Sequence, residues 1–127
     1  MIQGIEPSLN MRIAQRSLDA CVLRQEALAS NIANVETPGY KRMDVAKDFA
    51  DRLKTAVQRG GAKNALPAPR LTEDSQARAL RADGNTIDLE NELLQMNKNQ
   101  VDHEYLTQLI GSSFKSLKMA ITGRSSF

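Results

Sequence analysis

The chain has 127 residues, enough for one small domain, and its 41% apolar content is mostly aliphatic, with 4% aromatic residues and no tryptophan. A formal net charge of +2 argues against a dedicated nucleic-acid binder, and the single cysteine, Cys21, excludes an intramolecular disulfide. Residues 1–7 lack the basic start and apolar run of a signal peptide, and no stretch approaches the ~20 apolar residues that span a bilayer. We therefore expect neither a cleaved leader nor membrane insertion.

A first long helix is predicted from about Ser8 to Asn34. Its apolar residues recur every three or four positions, and only Gln25 interrupts the pattern. These residues are Met11, Ala14, Leu18, Cys21, Leu28, Ile32 and Val35. Such a heptad-like stripe is typical of a helix that packs along another helix over several turns. Cys21 is interpreted as a small apolar member of this stripe, because no histidine or metal-ligand spacing accompanies it.

The first helix runs into a motif at residues 30–40, Ser-Asn-Ile-Ala-Asn-Val-Glu-Thr-Pro-Gly-Tyr. It closes with four residues that favour a tight turn: Thr37, Pro38, Gly39 and Tyr40. Proline presets φ at the second position of such a turn, and glycine supplies the positive φ that a type II turn needs next. Asn31 and Asn34 share one helix face, where their amides can bond the last backbone carbonyls or a neighbouring chain.

The middle of the chain predicts a shorter helix followed by a linker. The helix is expected at about 43–58, with Asp44 as its N-cap. Residues 60–85 begin with two glycines, contain Pro67 and Pro69, and show no sustained period of 2 or 3.6, so a flexible linker is predicted there.

The longest helix is predicted at about 88–122. Acidic residues cluster at its start and Lys115 and Lys118 lie near its end, which is the polarity that the helix dipole favours, and Gly123 is a natural stop. Its stripe contains Leu89, Leu93, Met96, Ile110, Phe114, Leu117 and Ile121. The centre of the stripe is polar, which leaves open a rotation of the buried face midway along the helix.

These elements predict an all-α fold in a single domain over residues 1–127. The two long terminal helices are expected to pack as an antiparallel, coiled-coil-like pair, with Leu18–Val35 against Ile110–Ile121, where both stripes are richest. The shorter second helix and the middle linker complete the fold.

No catalytic, cofactor-binding or metal-binding constellation is recognisable. The chain has one histidine, His103, and one cysteine, so zinc catalysis and most nucleophilic triads are excluded by inventory. No glycine-rich phosphate loop follows a strand. We therefore expect neither an enzyme nor a cofactor.

Two motifs resemble those of the bacterial flagellar rod, hook and hook-associated proteins. One is the Ser-Asn-Ile-Ala-Asn-x-x-Thr-Pro-Gly-Tyr string at 30–40, and the other is Asp83-Gly84-Asn85-Thr86-Ile87-Asp88, which is similar to the Asp-Gly-Asn-x-Val-Asp motif of the short proximal rod member. The resemblance implies a structural subunit of the basal-body rod. The alternative from another class is a cytosolic helical adaptor or regulator that binds a partner helix.

The same resemblance implies partners and a location. It implies assembly with other rod proteins, with basal-body ring and export-gate components and with copies of the chain itself, and no binding to nucleic acid. It places the chain in the rod, in the periplasmic space, after type III export without a cleaved signal. The motifs and stripes together supply the candidate assembly residues: Leu18, Leu28, Asn31, Ile32, Asn34, Thr37, Pro38, Gly39, Tyr40, Asp83, Gly84, Asn85, Ile110, Phe114, Leu117 and Ile121.

Overall fold

The computed structural model describes residues 8–60, 65–77 and 82–123. Within them the chain forms, in order, α1 (Leu9–Ala33), β1 (Met43–Val45), α2 (Phe49–Gln58), β2 (Leu71–Glu73) and α3 (Leu89–Thr122). The long helices α1 and α3 pack against each other. The predicted all-α fold with paired terminal helices is therefore confirmed, with one small sheet added to it.

The ends of the long helices follow their local sequence. The Ser8 side chain accepts a hydrogen bond from the Met11 amide at 3.2 Å and caps the start of α1. Asp88 caps α3 in the same way through the Asn91 amide at 3.4 Å. Gly123, with φ +65°, ends α3 in the left-handed conformation, as the sequence predicted.

The apolar core lies between α1, the sheet and α2. Its buried residues are Ala20 from α1, Val45 from β1, Phe49 and Leu53 from α2, and Leu66 from the segment before β2. The two strands are antiparallel, with Met43 opposite Glu73 and Val45 opposite Leu71. A sheet of two three-residue strands is at best marginally stable by itself, so it depends on the side chains that it buries against α1.

Part of the middle of the chain differs from the prediction. The second helix begins at Phe49, and residues 43–45, which were expected to be helical, form β1 instead. Two backbone hydrogen bonds keep this segment extended: the Ala46 amide donates to Arg70 O at 2.9 Å, and the Asp74 amide donates to Arg42 O at 2.8 Å. Asp44 is consequently not a helix cap.

The stretch predicted as linker includes structure that its composition did not indicate. Its described parts contain β2 and the buried Leu66. Residues 61–64 and 78–81 lie outside the described residues. The flexibility of the linker and the single-domain organisation stay predictions.

The register between α1 and α3 differs from the predicted one. The Asn31 amide meets the Glu92 carboxylate at 3.2 Å, and the Asn99 amide meets Cys21 O at 2.8 Å. The helices are therefore antiparallel as predicted, but Leu18–Val35 lies against the first half of α3 and not against Ile110–Ile121. The prediction was wrong because it matched apolar stripes, whereas polar side chains make the closest contacts in the seam.

None of the helices, within the described residues, has the length and apolar content needed to cross a lipid bilayer.

Candidate functional site

The motif at 30–40 ends α1 with a compact turn. The Asn34 side-chain amide donates to Ser30 O at 2.8 Å, so it bonds a carbonyl in the last turn of the helix. The Thr37 hydroxyl donates to Asn34 Oδ1 at 3.0 Å, and the Tyr40 amide closes the turn by donating to Thr37 O at 3.2 Å. Gly39 has φ +73°, which fits the third position of a type II turn. The predicted tight turn is confirmed.

The second motif docks onto this turn through a buried asparagine. Asn85 is fully buried, and its Nδ2 donates to three backbone carbonyls, those of Asn34 at 3.1 Å, Val35 at 3.1 Å and Thr37 at 2.7 Å. Its Oδ1 accepts from the Ile87 amide at 2.8 Å. One side chain therefore bonds three backbone carbonyls of the turn that follows α1.

The two motifs also touch through their glycines. Gly84 has φ +82°, and a Cβ added there would lie 3.7 Å from the Gly39 Cα. Beside this contact the Thr86 amide donates to Tyr40 O at 3.2 Å, and the Lys41 ammonium donates to Gly84 O at 3.1 Å. We call this contact between residues 34–41 and 83–87 the motif junction.

Asn31 connects α1 to two other elements. It is fully buried, and its side chain exchanges two hydrogen bonds with the Met43 backbone, both 2.9 Å long, as a neighbouring strand would. Its Nδ2 also reaches Glu92 Oε2 at 3.2 Å. The first amide of the motif therefore fixes β1 and α3 against the end of α1.

A cluster of opposite charges lies next to Asn31. Arg42, which is 8% exposed, donates to the fully buried Glu92 through Nε, to Asp44 through NH1 at 2.9 Å and to Asp74 at 3.0 Å. Two cations that are more exposed than Arg42 complete the set. Arg24 pairs with Asp44 at 3.1 Å, and Lys47 pairs with Asp74 at 3.2 Å. We call these six residues the charge cluster. It joins α1, the sheet and α3, and each carboxylate has a cation beside it.

The pKa values reflect this pairing. Burial disfavours the charged form of Arg42, but its hydrogen bonds to Glu92 and Asp44 outweigh burial and raise the pKa of the guanidinium. Burial likewise acts to raise the pKa of Asp44, yet hydrogen bonds from Arg42 and Arg24 leave that pKa below its ordinary value. The pKa of Asp74 is also lowered, because the Gln76 amide and Lys47 outweigh burial. These charged forms are the ones that the fold stabilises.

A second polar contact lies farther along the seam between α1 and α3. Asn99 is 3% exposed, and its Nδ2 donates to Cys21 O at 2.8 Å and to Gln25 Oε1 at 3.1 Å. Cys21 itself is buried, and burial, aided by Asp102, raises the pKa of its thiol. Its burial agrees with the interpretation of Cys21 as an apolar residue of the helix seam.

The structure brings together the predicted residues of the two motifs, but not those of the stripes. Asn31, Asn34, the turn at 37–40 and Asp83–Asn85 meet at the motif junction or directly beside it. On α1, Leu28 is fully buried, while Leu18 and Ile32 are half-buried. Near the other end of α3, Ile110 and Leu117 are half-buried, and Phe114 and Ile121 are about half exposed.

Sequence reasoning missed the charge cluster and Asn99. The acidic residues at the start of α3, which include Glu92, were related to the helix dipole and Asp44 to a helix cap, whereas the carboxylates of Glu92 and Asp44 both bond Arg42. One signal in the sequence could have indicated that these two residues are buried together. Glu92 and Asn99 lie seven residues apart, and therefore on the same face, of a helix expected to bury one face. Within residues 8–60, 65–77 and 82–123, no group of three or more potential ligands could hold a metal ion.

Comparison with known proteins gives consistent matches. The family described as flagella basal body rod protein matches residues 11–41. The flagellar basal body rod protein FlgB of Salmonella typhimurium is 32% identical over 89% of this chain and 93% of its own length. FlgB of Escherichia coli K12 is 32% identical over 84% of this chain and 88% of its own, and FlgB of Borrelia hermsii is 31% identical over 89% and 96%.

Proposed function

The chain belongs to the FlgB family of flagellar basal body rod proteins and is a structural subunit of the bacterial basal-body rod, and we propose that its motif junction orients α3 for contact with neighbouring subunits. The observation that carries this proposal is an apolar surface on α3 that α1 does not cover.

That surface consists of three side chains. Leu94, Val101 and Tyr105 are each 65% exposed, and their spacing of seven and four residues places them on one side of α3. Glu92 and Asn99, which bond to α1, lie on the other side. We call Leu94, Val101 and Tyr105 the outer stripe. Exposed apolar side chains that recur along one helix face favour a contact with another protein.

The motif junction supplies the orientation. It joins the end of α1 to the segment that leads into α3 through the fully buried side chain of Asn85, so the direction in which α3 leaves the junction is set by bonded atoms and not by a free loop. In a helical assembly the same contact recurs at every subunit, and a small change of direction would be repeated at each copy. This is why we assign the junction to assembly geometry.

The partners follow from the family and from the outer stripe. We infer that the stripe contacts other rod subunits, either copies of this chain or other rod proteins, and that ring and export-gate components are neighbours in the proximal rod. We likewise infer a periplasmic location reached by type III export without a cleaved signal. We infer a structural role without catalysis.

The relatives reported above are rod proteins, which favours the rod subunit over the cytosolic helical adaptor. The adaptor would use the same apolar surface, so the surface alone does not separate the two. A fluorescently tagged copy found in purified basal bodies would support the rod, and one confined to the cytosol would support the adaptor.

The outer stripe is tested by Val101→Asp. Because Val101 is exposed, the purified variant should keep the helix content and thermal midpoint of the wild type, while cells that carry it should lose rods and swimming. Asn97→Asp is the matched control, since it adds the same charge at an exposed polar position on α3. Rod assembly at the wild-type level in the Val101 variant would exclude the outer stripe as an assembly surface.

A further inference from the structure

We propose that Glu92 and Asn99 act as a two-point register lock that allows α3 only one axial position along α1. Both are buried, they are seven residues apart, and they are the buried side chains of α3 within its described length. Both bond to α1, Glu92 through Asn31 and Asn99 through Cys21 O and Gln25. The buried contacts that α3 makes with α1 are thus made by polar side chains.

The rest of the seam offers little to fix the register. Ala20 belongs to the apolar core beside α2, and three of the other five buried apolar residues of α1 are small, Ala14, Cys21 and Ala27, next to the larger Met11 and Leu28. Contacts between small apolar side chains are non-directional, so they change little when one helix slides by a heptad. Hydrogen bonds and ion pairs depend on distance and angle, and buried polar groups are the best-attested way to specify the register of paired helices.

A shift by one heptad is disfavoured in either direction, for different reasons. If Glu92 moved to the level of Asn99, its carboxylate would face the carbonyl oxygen of Cys21, and two acceptors repel each other. If Asn99 moved to the level of Glu92, Arg42 would lose the fully buried carboxylate that it now bonds. Because Glu92 precedes Asn99 along α3, the native register differs in energy from both registers that are shifted by one heptad.

The lock has a cost, which separates it from a purely stabilising contact. The Oδ1 atom of Asn99 is buried and accepts no hydrogen bond within the part of the chain that the structure describes. A leucine there would avoid that penalty. Replacement of a buried ion pair by apolar side chains is likewise often neutral or stabilising. Loss of these polar groups should therefore loosen the register without loss of the fold.

The experiment measures the helix register directly in the full-length chain. Spin labels are placed at the exposed positions Glu26→Cys and Lys98→Cys in a Cys21→Ala background, and the distance between them is measured by pulsed EPR. Two test variants are added to this background, Arg42→Met/Glu92→Met and the triple variant that also contains Asn99→Leu. In both, Asp44 keeps Arg24 and Asp74 keeps Lys47 as cationic partners.

We expect one narrow distance in the parent chain. The double variant should add a second, longer distance that corresponds to an axial slide of about 10 Å between the helices, the rise of seven helical residues, and the triple variant should enlarge that population. Helix content and thermal midpoint should equal or exceed those of the parent. The control Arg16→Met/Asp19→Met removes an exposed ion pair within α1 and should keep the single distance.

Three results would overturn the lock: a broad distance distribution in the parent, a single native distance in both variants, or a second distance that appears only together with loss of helix content. A swimming assay of the same variants tests the consequence for assembly, which rests on the proposed function. A shifted register with normal swimming would leave the lock intact and would contradict the proposed role of α3 orientation.

Discussion

The side-chain amide of Asn85 donates to the backbone carbonyl of Thr37 at 2.7 Å, so the turn that ends α1 and the segment that begins α3 are held by one hydrogen-bonded residue. The two signature motifs, far apart in sequence, therefore form one structural unit. The first motif presents backbone carbonyls at the end of a helix, and the second supplies a buried donor that bonds them.

Asn85→Leu should lower the free energy of unfolding. The substitution keeps the number and branching of the side-chain heavy atoms but leaves the carbonyls of Asn34, Val35 and Thr37 without this donor, at a cost of about 1–3 kcal/mol. Urea denaturation followed by circular dichroism measures the change. Asn97→Leu, the same substitution at an exposed position of α3, should change the unfolding free energy by less than about 0.5 kcal/mol, and an equal loss in both variants would contradict the role of Asn85.

Gly39→Ala tests whether the first turn needs its left-handed residue. An added Cβ would meet Asp83 O at 3.8 Å, which is an ordinary contact, so the expected loss of about 1 kcal/mol or somewhat more comes from φ +73°. Gly111→Ala is the matched control, because Gly111 is helical with nothing within 4 Å of an added Cβ. There the same change should stabilise the chain by about 0.5–1 kcal/mol. Thermal melts that move in the same direction for both variants would show that the Gly39 turn is not strained.

Gly39→Val extends this test to assembly. A β-branched residue fits positive φ worse than alanine does, so the turn should shift and redirect the segment that the junction holds. We expect the free subunit to keep most of its helix content while rod assembly fails, measured by circular dichroism and by electron microscopy of basal bodies. If helix content falls in proportion to rod assembly, the turn serves folding alone.

Stability should fall in acid because of Asp44 and Asp74. Both have a pKa lowered in the folded state, so their contribution is fully present above the unfolded value of about 4 and is lost as the pH falls through the folded pKa. The thermal midpoint measured from pH 7 to pH 2 should therefore decline most steeply below about pH 4. Asp44→Asn should flatten that decline, whereas Asp19→Asn, at an exposed ion pair, should leave its slope unchanged.

Several features of this fold could be predicted from local sequence. The 3–4 spacing of apolar residues locates α1 and α3, Ser8 and Gly123 mark helix ends, and Pro38-Gly39 marks the turn. Each of these signals acts within a few residues of the structure that it specifies. The resemblance of the two motifs identified the family, although it did not indicate that they bind each other.

The sheet and the register could not be predicted from those signals. Strands of three residues are too short to show a period of two, and β1 is held extended by Asn31 and by a segment almost thirty residues away. The register depends on which polar side chain faces which carbonyl, and a count of apolar residues does not contain that information. For the same reason no local pattern indicates that Arg42 is buried among carboxylates.

Leu28→Asp and Phe114→Asp should separate folding from assembly, because the structure places these two stripe residues in opposite environments. Leu28 is fully buried in α1, and the charge of an aspartate there would be buried without a cation placed to pair with it. This should lower the free energy of unfolding by about 3–5 kcal/mol. Phe114 is 50% exposed near the C-terminal end of α3, and an aspartate there remains solvated. We expect Leu28→Asp to lose helix content and the thermal transition, and Phe114→Asp to keep both. Both should abolish rod assembly. The first variant fails because the chain does not fold, and the second because the exposed end of α3 contacts a neighbouring subunit. Normal swimming in the Phe114 variant would remove that end of α3 from the assembly surface and leave the outer stripe to account for it.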